Sequence, residues 1–129
     1  MDQLDDRDRQ AYTELQEKLI EQSSKKKQVA LQLRARDTEQ KRAVLTAEEL
    51  SNLPDDAKTY EQIGRAYFLM PKSQLLQDRK ETAISCQAEI KTLKETQASV
   101  QKAIAAVETE FRELIEQSPA LQQALSRPS

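Results

Sequence analysis

Ionisable side chains are abundant in this chain, but their types and spacing do not form a catalytic centre. Charged residues make up 33% of the 129 residues, histidine is absent, and Cys86 is the only cysteine. Without histidine, the chain lacks the most common general base and the most common metal ligand. The carboxylates are scattered, and no phosphate-binding loop, metal-ligand cluster or nucleophile–base pair is visible. We therefore expect a protein that is not an enzyme and needs no cofactor or metal.

One charged segment could bind a partner because it is basic. It comprises Lys25, Lys26, Lys27, Arg34, Arg36, Lys41 and Arg42. Such a stretch could contact RNA or an acidic protein surface. It has no interleaved aromatic residues, however, and the net charge of the whole chain is −2. A solvated helix face is the simpler interpretation, and we expect no nucleic-acid partner.

Cysteine usage and hydropathy favour an intracellular, cytoplasmic protein. A single cysteine cannot form an internal disulfide, so nothing indicates an oxidising compartment. No apolar run approaches the length of a membrane span, and the acidic start is too polar for a signal peptide. We therefore expect no membrane partner. Cys86 itself is most simply a small buried apolar residue.

The elements that position these residues are two long helices with heptad spacing. The second helix is predicted over residues 72–117, with Ser73 as a candidate N-cap and the Ser118–Pro119 pair ending it. Its seam positions alternate spacings of three and four, which is the a/d pattern of a coiled coil, and only Arg79 and Gln97 among them are polar. These positions are Leu76, Arg79, Ala83, Cys86, Ile90, Leu93, Gln97, Val100, Ile104, Val107, Phe111 and Leu114.

The first helix is predicted over residues 8–44 with the same spacing but more polar seam positions. Its register is Tyr12, Leu15, Leu19, Gln22, Lys26, Val29, Leu33, Arg36, Gln40 and Ala43. Polar a/d residues weaken a coiled coil but help to select its register and partner. An alternative is that Ile20, Ala30 and Leu31 widen the apolar stripe locally.

The connector, residues 45–71, combines a short helix with a β-hairpin. Thr46 and Glu49 have the spacing of a capping box, which predicts a short helix that Pro54 ends. Asp55 and Asp56 are typical of a turn. A strand-like segment follows, in which Gly64 and Arg65 can form a two-residue hairpin loop, with glycine supplying the positive φ of a type II′ turn. A helical or irregular apolar segment remains the alternative.

These elements predict one domain over residues 1–129, with 118–129 as a tail. The fold class is mainly α: a long antiparallel coiled-coil hairpin with a small β-hairpin at the bend. An isolated two-stranded hairpin is marginal in water, and its edges expose unpaired backbone groups. We therefore expect it to assemble with hairpins of other chains. The predicted assembly residues are Tyr60, Ile63, Gly64, Tyr67, Phe68, Leu69 and Met70.

This plan and several short stretches resemble the β-type subunits of the prefoldin family. The stretches are residues 11–16 with Lys18 and Ile20, residues 45–50, and residues 60–65 leading through Phe68 and Leu69 to Lys72. The resemblance covers about residues 10–115, and a single hairpin fits the β-type better than the α-type. It implies a hexamer with two α-type and three other β-type subunits. Its further implied partners are unfolded actin and tubulin, delivered without ATP to the cytosolic chaperonin.

The resemblance also implies that clients bind at the tips of the coiled coil. Antiparallel pairing places the two ends of the chain together, far from the hairpin, and this tip is rich in apolar residues. The predicted client-binding residues are Tyr12, Leu15, Leu19, Phe111, Leu114 and Ile115. The same residues could instead be buried in the seam between the helices. A coiled-coil scaffold or tether that binds no client is the alternative function.

Overall fold

The computed structural model describes residues 5–126, which form three helices and one two-stranded hairpin. The elements in chain order are α1 (Asp6–Ser51), β1 (Thr59–Ile63), β2 (Ala66–Met70), α2 (Lys72–Gln117) and α3 (Pro119–Ser126). The mainly α fold, with two long helices and a hairpin between them, is confirmed. The chain divides into a hairpin unit, residues 31–94, and a terminal unit, whose described residues are 5–30 and 95–126.

The first helix is longer than the predicted 8–44, and the capping box at Thr46 is wrong. Helix α1 continues to Ser51 without a break. The hydroxyl of Thr46 donates to the carbonyl oxygen of Arg42, 2.8 Å away, so it is satisfied inside the helix and caps nothing. Residues 45–50 are mostly good helix formers, so no physical reason exists for a break there. The separate short helix of the connector is therefore the last part of α1.

The second long helix covers the same residues as its prediction, but Ser73 does not cap it. The carbonyl oxygen of Pro71 accepts hydrogen bonds from the backbone N–H groups of Gln74 and Leu75, at 3.1 and 3.2 Å. These bonds open α2 at Lys72, so Ser73 already lies within its first turn. Proline before a helix start loses no helical hydrogen bond, because its missing N–H would have no partner there.

Lys72 ties the start of α2 to the segment after α1. Its ammonium donates to the carbonyl oxygen of Leu53 at 2.7 Å and lies 3.4 Å from a carboxylate oxygen of Asp55. The predicted turn at Asp55 and Asp56 is present, since the N–H of Ala57 donates to the carbonyl of Pro54 at 3.0 Å. The ends of the two long helices are thus joined at the base of the hairpin.

The hairpin has the register that the sequence predicts for a loop of Gly64 and Arg65. Strands β1 and β2 are antiparallel, with Ile63 opposite Ala66 and Thr59 opposite Met70. Gly64 has a φ of +64°, and no other described residue has a positive φ. A positive φ at the first loop position alone is the signature of a type II′ turn, which matches the twist of the strands.

Burial follows the predicted heptad register in each unit. In the terminal unit, Leu15, Val29, Val100 and Val107 are buried; in the hairpin unit, Ala43 and Cys86 are. The exception is the start of α2, where Leu75 is buried and the predicted seam residue Leu76 is only half-buried. The other seam positions are half-buried, except for exposed Lys26. Ile20, Ala30 and Leu31 are exposed, so they do not widen the stripe. The 3.6-residue period places their side chains away from the seam.

Part of the predicted tail forms a helix of its own. Helix α3 begins directly after Ser118, whose hydroxyl oxygen accepts from the N–H of Leu121 at 3.2 Å. Serine is a favoured N-cap residue, and proline is favoured at the first helical position. Ser118 therefore separates α2 from α3, and the terminal unit contains three helical segments rather than two.

Candidate functional site

The hairpin presents two faces because successive side chains of a strand point to opposite sides. Tyr60, Gln62, Tyr67 and Leu69 share one face, as their cross-strand pairing shows. The opposite face carries Thr59, Glu61, Ile63, Ala66, Phe68 and Met70. Both faces therefore combine large apolar side chains with polar ones.

The base of the hairpin is anchored, whereas the rest of it is open. Thr59 is buried, and its hydroxyl donates to the carbonyl oxygen of Met70 at 2.6 Å. A carboxylate oxygen of Glu61 lies 3.8 Å from the guanidinium of Arg79 on α2. Beyond this base, five large apolar side chains are each at least half exposed: Tyr60, Ile63, Tyr67, Phe68 and Leu69.

Both outer edges of the hairpin are free to pair. Among residues 5–126, the only sheet is the one that β1 and β2 form with each other. Each strand thus leaves one row of backbone N–H and C=O groups without a strand partner. Open edges beside exposed apolar side chains are what a neighbouring strand needs in order to add to a sheet. The structure brings the seven predicted assembly residues together, and Met70 is the only half-buried side chain among them.

The terminal unit brings the predicted tip residues together, but it buries them in part. The rings of Tyr12 and Phe111 meet edge to face, with centroids 5.5 Å apart and planes at 74°. Leu15 is only 7% exposed, so it packs in the seam. The other five residues, Tyr12, Leu19, Phe111, Leu114 and Ile115, are half-buried. We call these five residues the tip cluster.

An open groove adjoins the tip cluster and has an acidic rim. It has a volume of about 280 Å³ and is lined by Ala11, Glu14, Leu15, Lys18, Glu110, Glu113, Leu114 and Gln117. The ammonium of Lys18 lies 4.0 Å from Glu110, a distance at which an exposed ion pair contributes little stability. Leu114 is therefore reachable from solvent between charged side chains.

A second apolar surface, in the hairpin unit, was not predicted. Val44, Leu45 and Ile84 are exposed, and a groove of about 610 Å³ runs past Val44, Ala47, Ala83 and Ile84. The sequence does contain a signal for it, because Leu45 and Ile84 are large apolar residues outside the heptad register. The groove also includes Arg79, which contacts the base of the hairpin.

Three of the seven cations in the basic stretch have carboxylate partners within a turn of the same helix. Lys25 lies 3.6 Å from Glu21, and Lys41 lies 2.9 Å from Asp37, both with the spacing of one helical turn. Arg36 contacts Glu39 at 2.6 Å. Such pairs are usual on a solvated helix face. None of the described helices is long and apolar enough to cross a membrane.

Cys86 lies in the seam of the hairpin unit and is expected to be chemically inert. It is 3% exposed. Burial raises the pKa of its thiol, the carboxylate of Glu39 raises it further, and Arg36 opposes this shift. The neutral thiol is a poor nucleophile, so native Cys86 should react with a maleimide at least about 100-fold more slowly than an exposed thiol. Cys86→Ala combined with Ser85→Cys, which moves the thiol to an exposed neighbour, is the matched control.

The same thiol predicts a pH dependence of stability. Because its pKa is raised in the folded chain, the unfolded chain loses the thiol proton at a lower pH than the folded chain does. Stability should therefore fall as the pH rises past the ordinary thiol pKa. The measurement is the free energy of unfolding in urea, determined for the natural chain and for Cys86→Ala at increasing alkaline pH. If this free energy changed with pH equally in both proteins, the prediction would be wrong.

The chain is similar to known proteins along most of its length. A family model described as "Prefoldin subunit" matches residues 13–118. The chain is 36% identical to Prefoldin subunit 1 of Arabidopsis thaliana over 121 residues, which cover 94% of each chain. It is 31% identical to Prefoldin subunit 1 of Homo sapiens over 111 residues, 83% of this chain and 88% of the human one.

A solved structure shows the same fold. The crystal structure of the prefoldin beta subunit from Thermococcus strain KS-1 superposes with a TM-score of 0.64 at 17% sequence identity. The match covers 99% of this chain and 100% of the archaeal one. The two proteins therefore share a fold of two long helices with a small antiparallel hairpin between them.

Proposed function

Because this chain belongs to the prefoldin family, whose members are subunits of a chaperone complex, we propose that it is one β-type subunit of a hexamer. The other members are two α-type and three other β-type subunits. The hexamer holds unfolded proteins, actin and tubulin among them, at its tips. It delivers them to the cytosolic chaperonin without using ATP, and it works in the cytoplasm.

The observation that carries this proposal is the open hairpin. Five large apolar side chains lie at least half exposed on a two-stranded sheet with two free edges. A sheet of that size is marginal by itself, so strands from neighbouring subunits complete it. Backbone pairing along the edges sets the geometry, and apolar burial at about 25 cal/mol per Å² supplies most of the energy.

Client binding is assigned to the terminal unit. The tip cluster is apolar but only half-buried, and the adjacent groove makes Leu114 accessible. Weak, non-directional contacts suit unfolded chains whose sequences differ. Several subunits that hold one client gain affinity because the second contact becomes intramolecular.

Mass determination of the intact assembly tests the proposal. The chain alone and the chain co-expressed with α-type and β-type partners would be analysed by native mass spectrometry. A hexamer containing one copy of this chain supports the proposal. The opposite result is a stable dimer of this chain that does not bind those partners and does not change the aggregation of an unfolded protein. That result would favour a coiled-coil scaffold.

Replacing Ile115 with serine should weaken client binding by about fivefold or more without loss of assembly. The change removes one apolar side chain of the tip cluster, each of which contributes a small part of the contact. The measurement is fluorescence anisotropy of labelled, reduced and carboxymethylated α-lactalbumin, an unfolded chain, titrated with the assembled complex. Ile84→Ser is the matched control, since Ile84 lies on the same helix but in the hairpin unit. Equal affinities for both variants would contradict the tip assignment.

A further inference from the structure

Helix α3 buries one leucine more completely than any other large side chain among residues 5–126. Leu121 is 1% exposed, whereas Leu125, one turn later in α3, is 45% exposed. A helix of eight residues cannot enclose a leucine by itself. Leu121 must therefore pack against the ends of α1 and α2, which belong to the same terminal unit. Those ends carry the tip cluster.

Short hydrogen bonds hold α3 in this position. The hydroxyl of Ser118 donates to a carboxylate oxygen of Asp8 at 2.9 Å, which joins the start of α3 to the start of α1. The side-chain amide of Gln122 donates to the carbonyl oxygen of Ile115 at 2.8 Å. Ser118 is itself buried, so its bond to Asp8 is shielded from competing water.

We propose that α3 is an intramolecular cover of the tip cluster, which an unfolded client displaces. This inference rests on the proposed function, because it assumes that clients bind at the tip. An eight-residue helix is not stable without tertiary contacts. Its attachment depends on one buried leucine and a few hydrogen bonds, so it can open without unfolding of the long helices. The open form exposes the apolar surface that Leu121 covers.

The cover also indicates what kind of client segment the tip accepts. Leu121 is flanked within α3 by the half-buried small residues Ala120 and Ala124. A segment that replaces α3 must fill the same space, so it needs an aliphatic anchor with small neighbours. Because α3 competes with the client, only molecules in the open form bind it. The apparent dissociation constant for the client is therefore the intrinsic one divided by the fraction of open molecules.

The test compares two leucines of the same helix in the assembled complex, with labelled carboxymethylated α-lactalbumin as the probe. Leu121→Ala removes the buried anchor and should lower the dissociation constant of the probe by about fivefold or more. Leu125→Ala removes an exposed side chain and should change it by less than about twofold. Ser118→Ala keeps Leu121 but loses the bond to Asp8, so it should act in the same direction as Leu121→Ala.

Hydrogen exchange of the natural chain supplies a readout that needs no variant. Binding of the probe should accelerate exchange of the amide of Gln122, which donates to the carbonyl oxygen of Ser118 in the closed form. Unchanged exchange, or weaker binding by Leu121→Ala, would overturn the cover. If Ile115→Ser weakens binding while Leu121→Ala does not strengthen it, the cover alone fails. If Ile115→Ser has no effect, tip binding fails and the cover with it.

Discussion

Gly64→Val is expected to abolish incorporation of this chain into the hexamer. The φ of Gly64 is +64°, a conformation in which a β-branched residue is strongly strained. An added Cβ would meet no other atom within 4 Å, so the cost comes from the backbone itself and amounts to about 1–3 kcal/mol. A two-stranded hairpin has too little stability to absorb this strain. Native mass spectrometry of co-expressed subunits measures the loss.

The neighbouring loop residue provides the control for this experiment. Arg65 is also exposed and also lies in the two-residue loop, but its φ is not positive. Arg65→Ala should therefore assemble like the natural chain. If Gly64→Val assembled in full yield, the hexamer would not depend on the positive φ of residue 64. The hairpin could then not be the main contact between this chain and its neighbouring subunits.

Val107→Asp is expected to destroy client binding while assembly persists. Val107 is 5% exposed in the seam of the terminal unit, so the change buries an unpaired carboxylate. Such a charge costs roughly 3–5 kcal/mol, which is enough to separate the helices locally. The hairpin lies in the other unit and keeps its own contacts. Hydrogen exchange should show loss of protection in residues 95–117 while the hairpin keeps its protection.

The control introduces the same charge at the preceding residue. Ala106 is exposed, so Ala106→Asp places its carboxylate in water and should change neither assembly nor binding of an unfolded chain. If Val107→Asp prevented assembly as well, the two functions would not be carried by separate units of the chain. Mass spectrometry and anisotropy on the same preparations distinguish the two results.

The hairpin and the heptad seam could be predicted because their signals are local and agree with each other. Gly64 is the only glycine, and strand-forming residues lie on both sides of it. The seam register follows from apolar spacing alone, and burial of Val100 and Val107 bears it out. Both features depend on the period of the backbone, which a single sequence displays directly.

The errors occurred where one pattern has two meanings. Thr46 and Glu49 have capping-box spacing, yet a threonine inside a helix can bond to the preceding turn, as Thr46 does with Arg42. Ser118 and Pro119 predict the end of α2, although the same pair is also a typical helix start. Reading that pair in both directions, with Leu121 and Leu125 four residues apart, would have predicted α3.

The exposure of single side chains could not be predicted because it depends on packing between distant segments. Leu15 and Leu19 are four residues apart in the same stripe, but Leu15 is buried and Leu19 is half-buried. The surface around Val44 and Ile84 likewise arises only when α1 and α2 lie side by side in the hairpin unit. Whether the tip cluster binds clients stays a prediction.

The open hairpin has a consequence for the supply of this protein in a cell. A newly made copy exposes Tyr67, Phe68 and Leu69 beside free strand edges until a partner covers them. Such surfaces pair readily with any other exposed strand and invite aggregation or proteolysis. The unpartnered copy is therefore the short-lived form, and the abundance of the protein should follow the stoichiometry of its partners rather than its own rate of synthesis.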